Sequence, residues 1–418
     1  MTPISAQRAL EALRNGVPNS DAVRALGCMQ PDVVERFRQQ LDHLAGDGTT
    51  EATPCVSGTM LHGDFGTGKS HTLSCLEQEA MRRNFVVSRI VISKETPLHD
   101  PAKMFLAAVR EARLPNSRGS LLHELATGLD YRADQVASFR MWATSGQPLP
   151  MIAASVLIDE RSHDAELKEQ IVHWWSGEKL TVSQVRNGLR SIGVKDLKVN
   201  QVKVIDLTPA RFEFAARLAR ARGFAGWVLL LDEVELIARF SLLQRARAYA
   251  ELARWLGAVP SQRVPGMTVV AAITADYGIA VLNAKGDREK APARLEQKGD
   301  QISLDLANMA RSGIDLIEKQ SVGLYAPSDD TLKATHGRLR ELYSTAYGHS
   351  ISNGIPFSTS GPRQAMRAYV RRWIIEWDLQ RLYGVSGQEL IQEEAMKNDY
   401  DEDPDSMSET EERLEPTE

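Results

Sequence analysis

Residues 63–70 read Gly-Asp-Phe-Gly-Thr-Gly-Lys-Ser, a string that few folds can use. It fits G-x-x-x-x-G-K-[ST], in which small residues let backbone amides turn inward around phosphate oxygens. Gly63, Gly66 and Gly68 supply that freedom, Asp64, Phe65 and Thr67 fill the positions between them, and Lys69 reaches the β- and γ-phosphates. Val56 to Leu61 predicts a strand before the loop and Ser70 to Arg82 a helix after it. The loop, with His71 in the first turn, then sits where a helix N-terminus adds partial positive charge. Ser70 is placed to hold Mg²⁺ through its hydroxyl, so ATP and Mg²⁺ are the expected cofactors.

Residues 228–233 read Val-Leu-Leu-Leu-Asp-Glu. An apolar run ending in carboxylates is the form of a buried parallel strand whose carboxyl end points at a ligand. Asp232 is placed to orient Mg²⁺ or its water shell. Glu233 is placed to polarise the attacking water, a task for a carboxylate that can accept a proton beside the γ-phosphate. Alone, such a string also describes a buried strand that stops at a solvated acid. Beside a complete phosphate loop it points to an α/β P-loop nucleoside-triphosphatase.

The 418 residues are 43% hydrophobic and 25% charged, ordinary values that allow one large core and a smaller second domain. Apolar runs such as Trp227–Leu231 fall far short of the roughly 20 residues of a membrane helix, and the N-terminus lacks a signal-peptide pattern. The expectation is a cytoplasmic protein with no membrane partner. Cys28, Cys55 and Cys75 lack C-x-x-C spacing, which argues against a disulfide framework and a zinc site. The net charge of −5 is unevenly spread: ten acids against Arg413 put Asp399–Glu418 at −9, which leaves +4 for the preceding residues. That end is nearly free of apolar residues and is expected to be a disordered acidic tail within 391–418, serving solubility or mimicking nucleic acid on a basic face.

Three helices are expected in residues 1–53: Ile4 to Arg14, Ser20 to Leu26 and Pro31 to Ala45. The first part of the nucleotide-binding core, 54–113, adds a second strand over Phe85 to Ile92 that ends at Ser93. From Lys69 to Asp232 the separation is 163 residues, too long for consecutive parts of one site, so 114–203 is a helical insertion. Helical patterns run from Pro101 to Arg113 and on through Gly193, with no convincing strand. The insertion carries Trp142, Trp174 and Trp175, read as core or interface anchors, and a capped helix over Thr181 to Val194 that fits either a helix-turn-helix or a plain helical insert. The second part of the core, 204–326, holds a helix over Phe212 to Arg222, an Arg-rich helix over Ser241 to Leu256, a strand over Met267 to Ile273 ending at Thr274, a polar stretch over Asn283 to Asp300 and a short strand at Val322. Residues 327–390 give a helix from Asp330 to Tyr343 and a last helix opened by Ser360-Gly361-Pro362-Arg363 that runs to about Tyr383.

This order of strands resembles the AAA+ ATPases, most nearly the origin-recognition and helicase-loader branch. The resemblance implies a parallel sheet flanked by helices, with the insertion and a C-terminal helical lid. It places Thr274 at the first sensor position, where a polar side chain helps orient the lytic water, although Thr departs from the commoner Asn. It places Ser93 where a residue can hold the catalytic Glu away from water, and Arg363 at the second sensor. An arginine finger given to a neighbouring subunit, Arg294 first and Arg288 second, stabilises charge on the transferring phosphoryl group and implies a homo-oligomer. A strand end, a turn residue and surface arginines are the competing readings of these positions.

Two further blocks narrow the resemblance. Arg8-Ala9-Leu10-Glu11-Ala12-Leu13-Arg14-Asn15-Gly16-Val17-Pro18-Asn19, and Arg211-Phe212-Glu213-Phe214 with Ala219-Arg220-Ala221-Arg222-Gly223-Phe224 leading into Leu231-Asp232-Glu233-Val234-Glu235, resemble the ATP-binding proteins of bacteriophage-exclusion (BREX) loci, BrxD type, over about Ala6 to Leu382. That implies a phage-defence ATPase acting beside a superfamily-2 helicase from the same locus, on DNA, with the Gly16–Asn19 turn near the adenine. Two basic helix faces, Arg367, Arg371 and Arg372, and Arg239, Arg245, Arg247 and Arg254, can neutralise phosphates without reading bases; solvated helix faces are the other reading. The competing function is a STAND-type signalling or scaffold protein with little turnover. A small-molecule kinase would need an acceptor pocket that no motif here supplies.

Overall fold

The computed structural model describes residues 1–16, 19–46, 57–117, 119–351, 365–384 and 399–403. Six strands among them form one sheet: β1 Thr59–Gly63, β2 Val86–Val91, β3 Ala112–Arg113, β4 Trp227–Asp232, β5 Met267–Thr274 and β6 Val322–Gly323, in the order β3-β2-β4-β5-β1-β6. β5 therefore lies between the strand that feeds the phosphate loop and the strand that ends in acids. Register sets Gly63 opposite Thr274 and Val91 opposite Asp232, so the chemistry-bearing residues share one edge.

Every residue of β4 and β5 is buried, as expected where helices cover both faces of parallel strands. Along β4, Trp227, Leu229 and Leu231 enter one core while Val228 and Leu230 enter another, and β5 alternates in the same way. Each such side chain contributes about 1.5–3 kcal/mol of burial. The expected all-parallel sheet and the expected helix to Arg113 are both corrected at β3, which runs antiparallel to β2. The helix there stops at Arg110, and Ala112 and Arg113 turn back to pair with Ser88 and Val87.

Helices α1 Pro3–Asn15, α2 Ser20–Leu26 and α3 Pro31–Ala45 do not form a unit of their own. α3 joins α4 Lys69–Arg82 against one face of the sheet. α5 Pro101–Arg110 covers the other face together with the insertion, α6 Leu121–Thr127, α7 Asp134–Thr144, α8 Pro150–Arg161, α9 Ala165–Trp175 and α10 Val182–Ser191. Six residues, Ser176–Thr181, separate α9 from α10, and Gly188 of α10 lies close against Ile158 and Leu167. The apolar side of α10 is thus buried. Trp142, Trp174 and Trp175 are core residues; Trp175 stacks 4.9 Å from Phe214 and donates to Ser155 Oγ at 2.8 Å.

That contact to Phe214 joins the insertion to α11 Val204–Ala221, which starts well before the expected Phe212. After β4 come α12 Leu242–Trp255, α13 Asp287–Glu296 and α14 Gln301–Lys319. α13 lies inside the stretch read only as polar, and α14 had no counterpart in the sequence reading. α14 packs directly on α12 because Gly313 has no Cβ: one would lie 1.9 Å from Tyr249 O. Finally α15 Asp329–Tyr347 and α16 Met366–Tyr383 bury Leu339, Tyr343, Trp373 and Trp377 with Ala6, Leu10 and Ala22 of α1 and α2. Among the described residues, the first two helices and the last two therefore share one core.

Candidate nucleotide site

The phosphate loop leaves β1 at Gly63 and enters α4 at Lys69. Gly66 and Gly68 hold φ of 81° and 100°, left-handed values that favour glycine. Lys69 is buried, and its Nζ donates to Gly63 O at 3.0 Å and Asp64 O at 3.4 Å. Thr67 Oγ1 donates to Asp64 O at 2.8 Å. The lysine thus sits inside the ring of loop carbonyls and amides. A cleft of about 210 Å³ is lined by residues 65–72 on one side and by Asp232, Glu233 and Glu235 on the other.

His71 lines the cleft but is tied elsewhere, its Nε2 donating to Gly27 O at 2.8 Å. Burial holds its ring below the usual imidazole range, the Gly27 contact opposes that, and Arg89 adds to it. Phe65 is exposed at the rim, with the Arg367 guanidinium 5.1 Å from its ring centre. Arg367 also donates from Nη2 to Gly16 O at 2.6 Å and from its backbone N to Gly66 O at 3.4 Å. An arginine of α16 Met366–Tyr383 therefore reaches the phosphate loop: Arg367, which the sequence places on a basic helix face with Arg371 and Arg372. Arg363, Val17 and Pro18 lie outside the described residues.

Across the cleft, Asp232 is buried, and its Oδ2 accepts from Arg89 Nη2 at 2.8 Å. Arg89 also donates from Nη1 to Ser74 Oγ at 2.6 Å and from Nη2 to Ser70 O at 3.3 Å. This β2 residue escaped the sequence reading, yet it is the direct link between the acid strand and the phosphate-loop helix. An arginine within an otherwise apolar strand, Val86–Val91, was the available signal. Glu233 has φ of 57°, rare for a residue with a Cβ and a conformation concentrated at functional sites. Burial and then the Asp232 charge raise its carboxyl above the ordinary range, against the pull of Lys69 and Arg89. Glu235 was quoted in the sequence without a role. It is buried in the cleft wall, burial pushes its carboxyl up to about 7, and among the described residues Oε2 has no hydrogen-bond partner.

Ser70 lies in the first turn of α4 and Asp232 faces it through Arg89, so hydroxyl and carboxylate oxygens suited to a hard cation stand on opposite walls. With Arg89 on Oδ2, Asp232 is suited to holding the cation's water rather than the cation itself. Among the described residues no group of three His, Cys, Asp or Glu side chains forms a metal cluster.

Three positions differ from expectation. Ser93 hydrogen-bonds Glu95 and Thr96 at 2.8 and 3.0 Å, the geometry of a turn, and makes no bond to Glu233. The second basic face is taken up by acids: Arg245 is buried on Asp287 at 2.6 Å, Arg254 lies 3.1 Å from Glu251, and Arg239 lies 3.8 and 3.9 Å from Asp399 and Asp403. Those two aspartates belong to the acidic end, of which Asp399–Asp403 returns to the sheet edge instead of extending as disordered chain. There Tyr400 Oη lies 2.8 Å from Thr274 Oγ1. The finger candidates stand on α13, Arg294 exposed and bonded to Gln297 at 3.1 Å, and Arg288 paired with Glu318.

No described helix is long and apolar enough to cross a membrane. Compared with known families, the sequence matches the one described as BREX system ATP-binding protein BrxC/D over residues 2–118 and 144–350, which includes both walls of the cleft. No curated protein matches it.

Proposed function

This chain belongs to the BREX system ATP-binding protein BrxC/D family, and from that premise we propose that it is a BrxD-type, AAA+-like ATPase that hydrolyses ATP in this cleft. The observation that carries the reading is the meeting of Lys69 with Asp232 and Glu233 across one small cleft at the carboxyl edge of the sheet. The AAA+-like reading is supported by β5, which lies between β1 and β4 and so carries Thr274 between the two walls. In the proposed mechanism the loop amides and Lys69 bind the phosphates. Glu233, held by its left-handed backbone at the cleft, accepts the proton of the attacking water, and its raised affinity for protons suits it to that task. Ser70, and Asp232 through the ion's water, would hold Mg²⁺, which supplies charge neutralisation on the phosphates. Arg367 takes the part foreseen for a lid arginine, reaching the loop beside Phe65.

A homo-oligomer with Arg294 as an in-trans finger, a superfamily-2 helicase partner and action on DNA belong to the same proposal. The exposure of Arg294 supports the first of these. DNA contact through Arg239, Arg245 and Arg254 is not retained, since acids occupy them.

Glu233→Gln decides between turnover and nucleotide-held scaffolding. The variant is expected to bind ATP as tightly as the parent and to lose about 100-fold or more in multiple-turnover phosphate release. An unchanged rate would show that Glu233 is not the base, and a parent without turnover would favour the scaffold reading.

A further inference from the structure

The acidic segment Asp399–Asp403 makes more specific contacts than solubility requires. Arg245 Nη1 donates to Glu402 Oε1 at 2.6 Å, although Asp287 already holds Nε and Nη2 of the same buried guanidinium at 2.6 and 2.8 Å. Asp399 and Asp403 flank Arg239, and the Asp403 backbone N donates to Arg239 O at 2.9 Å. Lys285 Nζ donates to the Tyr400 carbonyl. The Tyr400 ring stands edge-on to Tyr277 at 6.0 Å. Backbone, charge and aromatic contacts coincide on five residues, against a surface made by the turn Val234–Arg239 that follows Glu233, the end of β5, and Lys285.

The hydroxyls of Tyr400 and Thr274 give the contact a consequence. Tyr400 Oη donates to Asp276 Oδ1 at 2.7 Å, because a carboxylate can only accept. Its single proton is then committed, so in the 2.8 Å contact with Thr274 the threonine is the donor. Thr274 likewise has one hydroxyl proton. While Tyr400 is docked, Thr274 can accept a hydrogen bond but cannot donate one to a phosphate oxygen or to the oxygen of the lytic water.

We propose that this surface is a binding site for an acidic, tyrosine-bearing peptide, filled in cis by Asp399–Asp403, and that its occupation restrains hydrolysis by taking the hydroxyl proton of Thr274. The restraint rests on the proposed ATPase reading; the docking does not. Release of the segment frees the Thr274 hydroxyl to donate elsewhere and loosens the turn that carries Glu235 and follows Glu233.

Two measurements on the full chain test the two halves. Hydrogen exchange followed by mass spectrometry should show 399–403 protected in the parent, and that protection should fall at least tenfold in Arg239→Ala/Lys285→Ala while peptides from β4 and β5 keep theirs. Exchange at the unprotected rate in the parent overturns the docking. In steady-state ATP hydrolysis, Tyr400→Phe keeps the ring and removes the hydroxyl, and kcat should rise about three- to tenfold with KM within twofold. In a Thr274→Val background the same substitution should change kcat by less than twofold. A kcat that is unchanged or lower in Tyr400→Phe, or that rises equally in the Thr274→Val background, overturns the restraint. Absence of turnover in every form, with ATP still bound, overturns the ATPase reading and the restraint together, and the exchange measurement still decides the docking.

Discussion

The phosphate loop is held mainly by partners within six positions of one another, Lys69 on Gly63 O and Thr67 on Asp64 O, with the Arg367 backbone N on Gly66 O as a long-range contact. The acid wall opposite is held by groups from distant parts of the chain: Arg89 on Asp232, Tyr400 on Thr274 and Glu402 on Arg245. The first wall is mostly backbone and tolerates change outside its own motif. The second is built from buried polar groups, of which Asp232, Thr274 and Arg245 have partners remote in sequence, so a single substitution far from the motif can disable it. Arg89 is where the two meet, since it touches Ser70 O and Ser74 on one side and Asp232 on the other.

The largest effect should come from the local wall. Lys69→Ala removes the charge that meets the phosphates, and ATP affinity by calorimetry should fall by about 100-fold, roughly 3 kcal/mol, from the loss of a charge-assisted bond. The fold should persist, because the lysine's present partners are loop carbonyls that water can satisfy. Arg89→Met should do the reverse. It leaves Asp232 buried without its cation, and urea unfolding should show a loss of about 2–3 kcal/mol, below the usual figure for a broken buried pair because Arg89 keeps a quarter of its side-chain surface in solvent. Arg89→Lys should recover part of that loss. If Arg89→Met unfolds at the parent's midpoint, the two walls are not linked through this residue.

This contrast also explains what the sequence made legible. The loop Gly63–Ser70 and the strand Val228–Asp232 are contiguous, and their chemistry follows from local spacing, so their place in the fold could be read directly. Helices α1, α2 and α3 were legible because breakers bound them: Gly16, Asn19 as cap of α2, and Pro31 at the start of α3. Arg89, Glu235 and Arg367 were not, because a charged residue on a strand, a turn or a helix face carries no local mark of the partner it will meet. The antiparallel β3 is two residues long and has no periodicity to read. α14 is strongly amphipathic, with Asp300 as its cap, and was overlooked beside the polar, proline-bearing α13. The acidic end shows the limit of composition: the excess charge that suggests disorder becomes binding energy once Arg239 and Arg245 stand opposite it.

The smallest predicted effect separates the walls by pH. Burial pushes the Glu235 carboxyl up to about 7 from an unfolded value near 4.5, with Lys69 opposing and Asp232 and Glu233 adding to the shift. Between those two pH values the native chain binds more protons at this site than the unfolded chain does. The stability from neutral Glu235 is therefore complete below about pH 4.5 and is lost as pH rises through about 7. Glu235→Gln, which cannot ionise, should remove that slope and raise stability above pH 7 by about 1–2 kcal/mol relative to the parent, with the two curves converging on the acid side. Denaturant midpoints from pH 5 to 8.5 measure it. The phosphate-loop wall should act in the opposite direction, since burial holds the His71 ring below the usual imidazole range and the stability from its neutral form is lost as pH falls. Parallel curves for parent and Glu235→Gln would mean that the acid wall holds this carboxylate ionised, and that solvent or a cation reaches Oε2.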